Sequence, residues 1–258
     1  MTVIDGIWCT ETGPIDGPTL VMVHGSLDRA TGLSRLARRF DDRYRVIRID
    51  RRGYGRSADH DGPFTVDRNI ADLINVVERL APESELHFFG HSFGGNVVLG
   101  ASTRFAERTR AVALFETPLS WQPWWGGGSS KGFPEQDPRD SAEAFMRRLV
   151  GDSRWERLPE RTREARRAEG RVLVGELSDL RSGPPWRPED ITVPVLALCG
   201  SRGADHHKRA VAYLSEVINN CVHREIDGAG HGAPNSHPVE VAEVVDAFFS
   251  RQRLVGGQ

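Results

Sequence analysis

The sequence predicts an α/β domain, a mainly parallel sheet covered by helices on both faces, and three observations lead there. Short β-branched runs alternate with stretches whose apolar residues recur at three- and four-residue steps, the pattern of parallel strands joined by right-handed helical crossovers. A Gly-x-Ser-x-Gly sequence, residues 90–94, falls at one of the strand-to-helix junctions. The alternation stops between residues 119 and 188 and then resumes, which marks an insertion. With 258 residues and 38% hydrophobic content, the chain can bury the core of such a domain without a partner copy.

Residues 19–23 (TLVMV) and 44–50 (YRVIRID) read as largely buried strands bounded by glycine and polar residues. Val66, Ile70, Leu73, Ile74, Val77 and Leu80 then share one face of a helix that would pack on the sheet. Residues 86–90 read as the next strand, 97–105 as a helix and 112–115 as a further strand. The passage WQPWWGGGSSKGFPEQDP is rich in turn formers and aromatics, and Gly126, Gly127 and Gly128 suit a hinge or a loose loop. Residues 141–174 are densely charged with interleaved Phe145, Met146, Leu149, Trp155 and Leu158, as in short amphipathic helices. Strand 193–200 (VPVLALCG), helix 207–217, strand 222–227 and a last helix carrying Val241, Val244, Val245 and Phe248 complete the chain. The expected division is a core of residues 1–119 and 188–258 with a helical cap at 120–187.

Charge and composition exclude several roles. The 34 basic and 36 acidic side chains leave a net charge of −2, which argues against a partner bound through its phosphates. Among the basic residues only Lys131 and Lys208 are lysine, a skew that reads as codon bias, and the arginines of residues 139–171 alternate with acids as on a solvated helix face. The start of the chain has no basic-then-apolar leader pattern, and no stretch nears the roughly 18 apolar residues of a membrane span. Three unpaired-looking cysteines, Cys9, Cys199 and Cys221, fit a reducing, cytoplasmic setting. No histidine or acid spacing gives a metal motif, so no metal or cofactor is expected, and the adjacent His206 and His207 read as a solvated helix start.

Ser92 carries the chemical reading. A serine at this kind of junction takes a strained turn that exposes Oγ above the sheet edge, beside the positive end of the following helix. A hydroxyl is a weak nucleophile and needs a base oriented by an acid. His231, in Gly-Ala-Gly-His-Gly after the strand ending at 227, lies at the same edge. His24-Gly25-Ser26 follows the first strand, so the backbone N–H groups of Ser26 and Phe93 could together face a developing oxyanion.

With these residues in place, the chain resembles the α/β-hydrolase-fold serine hydrolases, a group of carboxylesterases, lactonases, thioesterases and cofactor-free haloperoxidases. The resemblance rests on His24 to Ser26, residues 50–57 (DRRGYGRS), 90–95 (GHSFGG), 193–196 (VPVL), 228–231 (GAGH) and His237-Pro238, in family order along nearly the whole chain. It implies an eight-stranded sheet, a variable cap in the place of the insertion after strand six, and a Ser, acid, His triad in that chain order. The acid departs from the common pattern. The family position, about three residues after the strand ending at Gly200, is Gly203 here. Glu116, in the apolar ALFETPL, needs a partner if buried and resembles the acid of members that draw it from the preceding strand. Asp205 is the alternative, unless it only begins a helix.

The expected activity is cleavage of a small to medium, uncharged, largely hydrophobic carboxylic ester, lactone or thioester through an acyl-enzyme on Ser92. Alternatives are a thioesterase, acyltransferase or perhydrolase on the same triad, or a non-catalytic ligand-binding member of the fold. Five of the six tryptophans lie between residues 121 and 186. Trp121, Trp124 and Trp125, with His91 beside Ser92, are expected to wall the substrate pocket, or in the case of the tryptophans to bury the seam between insertion and core. Trp155 is expected in the core of the cap. Neither nucleic acid nor membrane is expected as a partner.

Overall fold

The computed structural model describes residues 1–126 and 137–255; the predicted hinge residues Gly127 and Gly128 lie outside the described residues. Eight strands form one sheet: β1 (Thr2–Ile4), β2 (Ile7–Thr12), β3 (Thr19–Val23), β4 (Arg45–Ile49), β5 (Leu86–His91), β6 (Thr109–Phe115), β7 (Val195–Gly200) and β8 (Cys221–Ile226). Their order is β1-β2-β4-β3-β5-β6-β7-β8. β2 pairs antiparallel with both of its neighbours, β1 and β4, and every other pairing in the sheet is parallel. The sequence does not announce the first two strands, since β1 is three residues long and the polar-ended IWCTET of β2 takes its place between β1 and the distant β4.

Both faces of the sheet are covered, and the two-residue side-chain period of a strand divides the core. Val21 and Val23 of β3 point into one apolar cluster, Leu20 and Met22 into the other. The first cluster is closed by α2 (Val66–Leu80) and α3 (Phe93–Arg104), whose buried Leu73, Val76, Val97 and Val98 belong to it. α2 begins as expected of a capped helix, with the Thr65 hydroxyl accepting from the Arg68 N–H at 3.2 Å. The second cluster is closed by the short α1 (Ser34–Ala37) and by the last helix, which buries Val241, Val245 and Phe249. β8 is the exposed edge and carries charge there, Arg224 and Glu225, which discourages strand addition.

Among the described residues four α-helices stand between β6 and β7: α4 (Pro138–Val150), α5 (Asp152–Glu156), α6 (Glu160–Ala168) and α7 (Gly170–Ser182). Trp155 is fully buried among them. Their outer side is a lattice of surface ion pairs in which Arg147 meets Glu143, Asp152 and Glu156. α7 instead turns Val172, Leu173, Leu177 and Leu180 inward. After β7 come α8 (Asp205–Val217), then α9 (Ala233–Ser236) and α10 (Pro238–Val255). Among the described residues no helix is long and apolar enough to cross a membrane.

Candidate active site

The strand-to-helix turn after β5 puts Ser92 at φ 51°, ψ −127°, a left-handed conformation that a side chain rarely adopts. Two backbone bonds hold it there: Ser92 N–H donates to the Phe115 carbonyl at 2.8 Å, and Gly95 N–H donates to the Ser92 carbonyl at 2.8 Å. The loop after β3 lies against it so closely that a Cβ on Gly25 would sit 3.4 Å from Ser92 Oγ.

Glu116 follows β6 and is also left-handed, at φ 48°. Its carboxylate is fully buried; Oε1 accepts the Gly200 N–H at 3.0 Å and Oε2 lies 2.6 Å from His231 Nδ1. Burial by itself would raise this carboxyl's pKa, but the hydrogen bond and charge of His231, with the His207 ring and the Gly200 N–H, hold it down at about 2. The ionised carboxylate keeps the proton of neutral His231 on Nδ1 and leaves a lone pair on Nε2. A Cβ at Gly203, the position where the family resemblance led us to expect an acid, would be 2.3 Å from Glu116 Oε1, so that position is left open beside the Glu116 carboxylate. Asp205 is not brought to His231. It opens α8 exposed to solvent and, among the described residues, makes no hydrogen bond or ion pair, as suits a carboxylate at a helix start.

His231 lies between two other imidazoles. His91 Nε2 donates to the His231 carbonyl at 2.8 Å, with the rings 4.9 Å apart. Burial first, and then the charge of His231, pushes His91 down to about 3. On the other side His207 stacks on His231 at 4.9 Å and 22°. The sequence reading of His207 as solvated is corrected: its side chain is 12% exposed, because α8 starts within five residues of β7 and its first turn is drawn over the sheet edge. Glu116, His207 and His231 together offer three potential metal ligands.

The opposite side of Ser92 is densely bonded. Phe93 opens α3, so its N–H has no partner within the helix, and it lines the same cavity as Ser26 and Ser92. Arg51 N–H donates to His24 Nε2 at 2.9 Å and Arg51 Nε to the His24 carbonyl at 2.9 Å, which leaves the ring proton on Nδ1 to meet the Gly25 carbonyl at 2.7 Å. The Arg51 guanidinium is fully buried against Glu176 of α7, itself fully buried. Tyr54 donates its hydroxyl hydrogen to Glu176 Oε2 at 2.8 Å, Asn69 Nδ2 donates to Oε1 at 3.2 Å, and Ser26 Oγ reaches Oε2 at 3.5 Å. Sequence reasoning missed Glu176; an acid among Leu173, Val174 and Leu177 on the apolar side of a helix was the available signal.

Two cavities meet at Ser92, one of about 300 Å³ and one of about 590 Å³, and both touch Ser26, Phe145, Leu149 and His231. Trp125 lines the first and His91 the second. Trp121 and Trp124 line neither of them and take the alternative place: Trp121 stands edge-on to Trp186, and Trp124 packs on Tyr213 of α8 with the Arg209 guanidinium 4.6 Å over its ring. Both indoles are partly buried against the larger apolar cluster, in the turn-rich stretch that follows β6.

Residues 20–244 match the model of the alpha/beta hydrolase family. Among individual proteins, the chain is 28% identical to the pimeloyl-[acyl-carrier protein] methyl ester esterase of Pectobacterium carotovorum over 93% of its length and 97% of the relative's. In three dimensions it resembles a thermophilic esterase from Thermogutta terrifontis at a TM-score of 0.70 and 19% identity, covering 95% of this chain and 93% of the other. A serine hydrolase involved in carbazole degradation matches at a TM-score of 0.71 and 21% identity, covering 94% and 93%.

Proposed function

The chain belongs to the alpha/beta hydrolase family as a hydrolase acting on ester bonds, and from that premise we propose that it is a serine hydrolase working through an acyl-enzyme on Ser92. The observation that carries the reading is the 2.6 Å bond between His231 Nδ1 and a fully buried Glu116 carboxylate, at a cavity that Ser92 shares. As Ser92 Oγ attacks the ester carbonyl carbon, His231 Nε2 takes its proton. The negative charge moves to the carbonyl oxygen, which accepts hydrogen bonds from the Ser26 and Phe93 N–H groups; removing one such donor typically costs about 10²–10³ in rate. The C–O bond to the leaving alcohol then breaks and the alcohol takes the proton from His231. Water repeats the sequence on the acyl-enzyme, giving up its proton to His231 and releasing the acid.

The substrate is a small to medium, largely hydrophobic ester, lactone or thioester. Phe93, Pro118, Trp125, Phe145, Leu149 and Leu177 support this, lining the smaller cavity with mainly apolar surface. The helices α4 to α7 act as a cap over the junction of the two cavities. The test is a panel of ester, lactone and thioester substrates run on the wild-type chain and on Ser92→Ala, with fluorophosphonate labelling in parallel. Turnover and labelling are expected in the first and neither in the second; a wild-type chain that never labels would sink the assignment.

A further inference from the structure

The adjacent histidines of α8 have no part in the hydrolysis derived above, yet one of them lies against the base. His207 stacks on His231 with ring centroids 4.9 Å apart and planes 22° from parallel. It does so without a hydrogen bond of its own: Nδ1 is buried with no partner, and Nε2 stands 3.9 Å from Glu116 Oε2, beyond hydrogen-bond reach. A buried nitrogen left unpaired costs stability, so the place of this ring calls for another reason. Stacked rings point their lone pairs side by side and not at a common point, and what His207 offers His231 is therefore its face.

The base has need of such a support. His231 sits in a glycine-rich loop where a Cβ on Gly230 or Gly232 would meet nothing within 4 Å, so no packing at those positions stiffens the backbone. His91 ties down the His231 carbonyl at 2.8 Å, but the ring itself is held by one hydrogen bond, from Nδ1 to Glu116 Oε2 at 2.6 Å. That bond fixes one point and leaves the plane free to rock, since the ring torsion of a histidine is broad. His207 is braced in turn, with the His206 ring 4.4 Å away and the buried Trp125 indole edge-on at 5.3 Å. Burial also pushes the His207 pKa well below its ordinary value, so the ring sets no charge beside the one that His231 takes up.

We propose that His207 is a positioning residue: its ring, backed by Trp125 and His206, holds the plane of the His231 ring, so that Nε2 keeps one direction while it takes and returns the Ser92 proton. A general base works from within hydrogen-bond reach of the proton it takes, and a misplacement of about 1 Å can cost about 10²-fold in rate. The flat face does the holding, and the ring nitrogens take no part in it. The support given to His231 stands apart from the hydrolase reading; its effect on the rate rests on that reading.

The test compares His207→Phe, which keeps a flat ring, with His207→Leu and His207→Ala, which remove it with and without loss of bulk. In hydrolysis of a p-nitrophenyl ester the Leu and Ala chains should lose about 10- to 10²-fold in kcat with KM little changed, while the Phe chain recovers most of the rate. A second readout needs no substrate. The Nδ1–H of His231 is expected as a resolved downfield proton resonance, assigned by its loss in Glu116→Gln. It should stay sharp in the Phe chain and broaden in the Leu and Ala chains, as the ring gains freedom and the proton meets water. Folding is checked by circular dichroism, and the Leu chain carries the test if the Ala chain does not fold. Wild-type kcat in the Leu chain, a Phe chain as slow as the Leu chain, or a rise in KM with kcat unchanged overturns the proposal. So does a resonance that is missing from the wild type or equally sharp in every His207 variant. A resonance that follows the ring in a chain with no esterase activity leaves the positioning role standing and overturns the proposed function instead.

Discussion

The two flanks of Ser92 are built in opposite ways. On the His24 side His24, Arg51 and Glu176 are each bonded more than once, and the last link of the chain, Glu176, comes from the insertion. On the Glu116 side the parts come from strand ends, a loop and the first turn of α8, none of them from the insertion, and the rings of His91 and His207 keep unbonded nitrogens. Where an oxyanion must be met by donors already in position, a bonded scaffold suits the task, since preorganisation is what makes such donors effective. Where a proton must be taken up and given back, the two rings beside the proposed base make no hydrogen bond to its nitrogens. The insertion is thus more than a cover, because α7 belongs structurally to the proposed oxyanion side.

The sharpest way to break this comparison is at the acid. Glu116→Gln should lower kcat by about 10³–10⁴-fold with the fold intact, as when a triad carboxylate becomes an amide that orients the wrong tautomer. Asp205→Asn should leave steady-state kinetics nearly unchanged, and the reverse ranking of the two would overturn the acid assignment. On the other flank, Glu176→Gln leaves the Arg51 guanidinium buried without its countercharge. The expected loss is about 3–5 kcal/mol in a urea titration, with kcat falling more than KM rises. Replacing both partners, Arg51→Met with Glu176→Leu, should restore most of the stability but not the rate, since the Ser26 loop is then unsupported. Equal recovery of both would show that the pair matters only for folding.

Smaller effects sharpen the picture. Gly203→Ala pushes a methyl group into the Glu116 carboxylate and should cost about 1–3 kcal/mol by overpacking, together with a drop in kcat. Asp28, beside the Ser26 loop, is raised to about 6, first by burial, against the opposing Arg29 N–H and charge. Its folded pKa exceeds the unfolded value of about 3.9. The stability it contributes is therefore present below about pH 4 and lost as pH rises through about 6. Thermal melts of Asp28→Asn from pH 4 to 8 should show a shallower decline than the wild type.

The parallel strands and the Ser92 turn were legible because they are written locally: β-branched runs, a helical apolar stripe, and glycines at one junction. Glu116 was singled out by its apolar neighbours and lies 2.6 Å from His231 Nδ1, while the exposed place of Asp205 at the start of α8 could be read only from the structure. β2 was not legible, since one partner, β4, lies more than 30 residues away in the chain and the other, β1, is only three residues long. His207 stacks on a ring 24 positions later, and no spacing rule links the two. The tryptophan cluster pointed to the right region, but composition does not say which face an indole takes, and Trp125 alone of the first three reached the cavity.

The Glu176–Arg51 contact also sets where this molecule can be cut and recombined. An exchange of the whole segment 120–187 with that of a relative would remove the one carboxylate that, among the described residues, forms an ion pair with the buried Arg51. A chimera joined ahead of Gly170 instead keeps α7 with the core, as part of the inherited chassis, and leaves α4 to α6 as the interchangeable module. In a library built to change substrate preference, that junction separates the variable part from the part the fold needs.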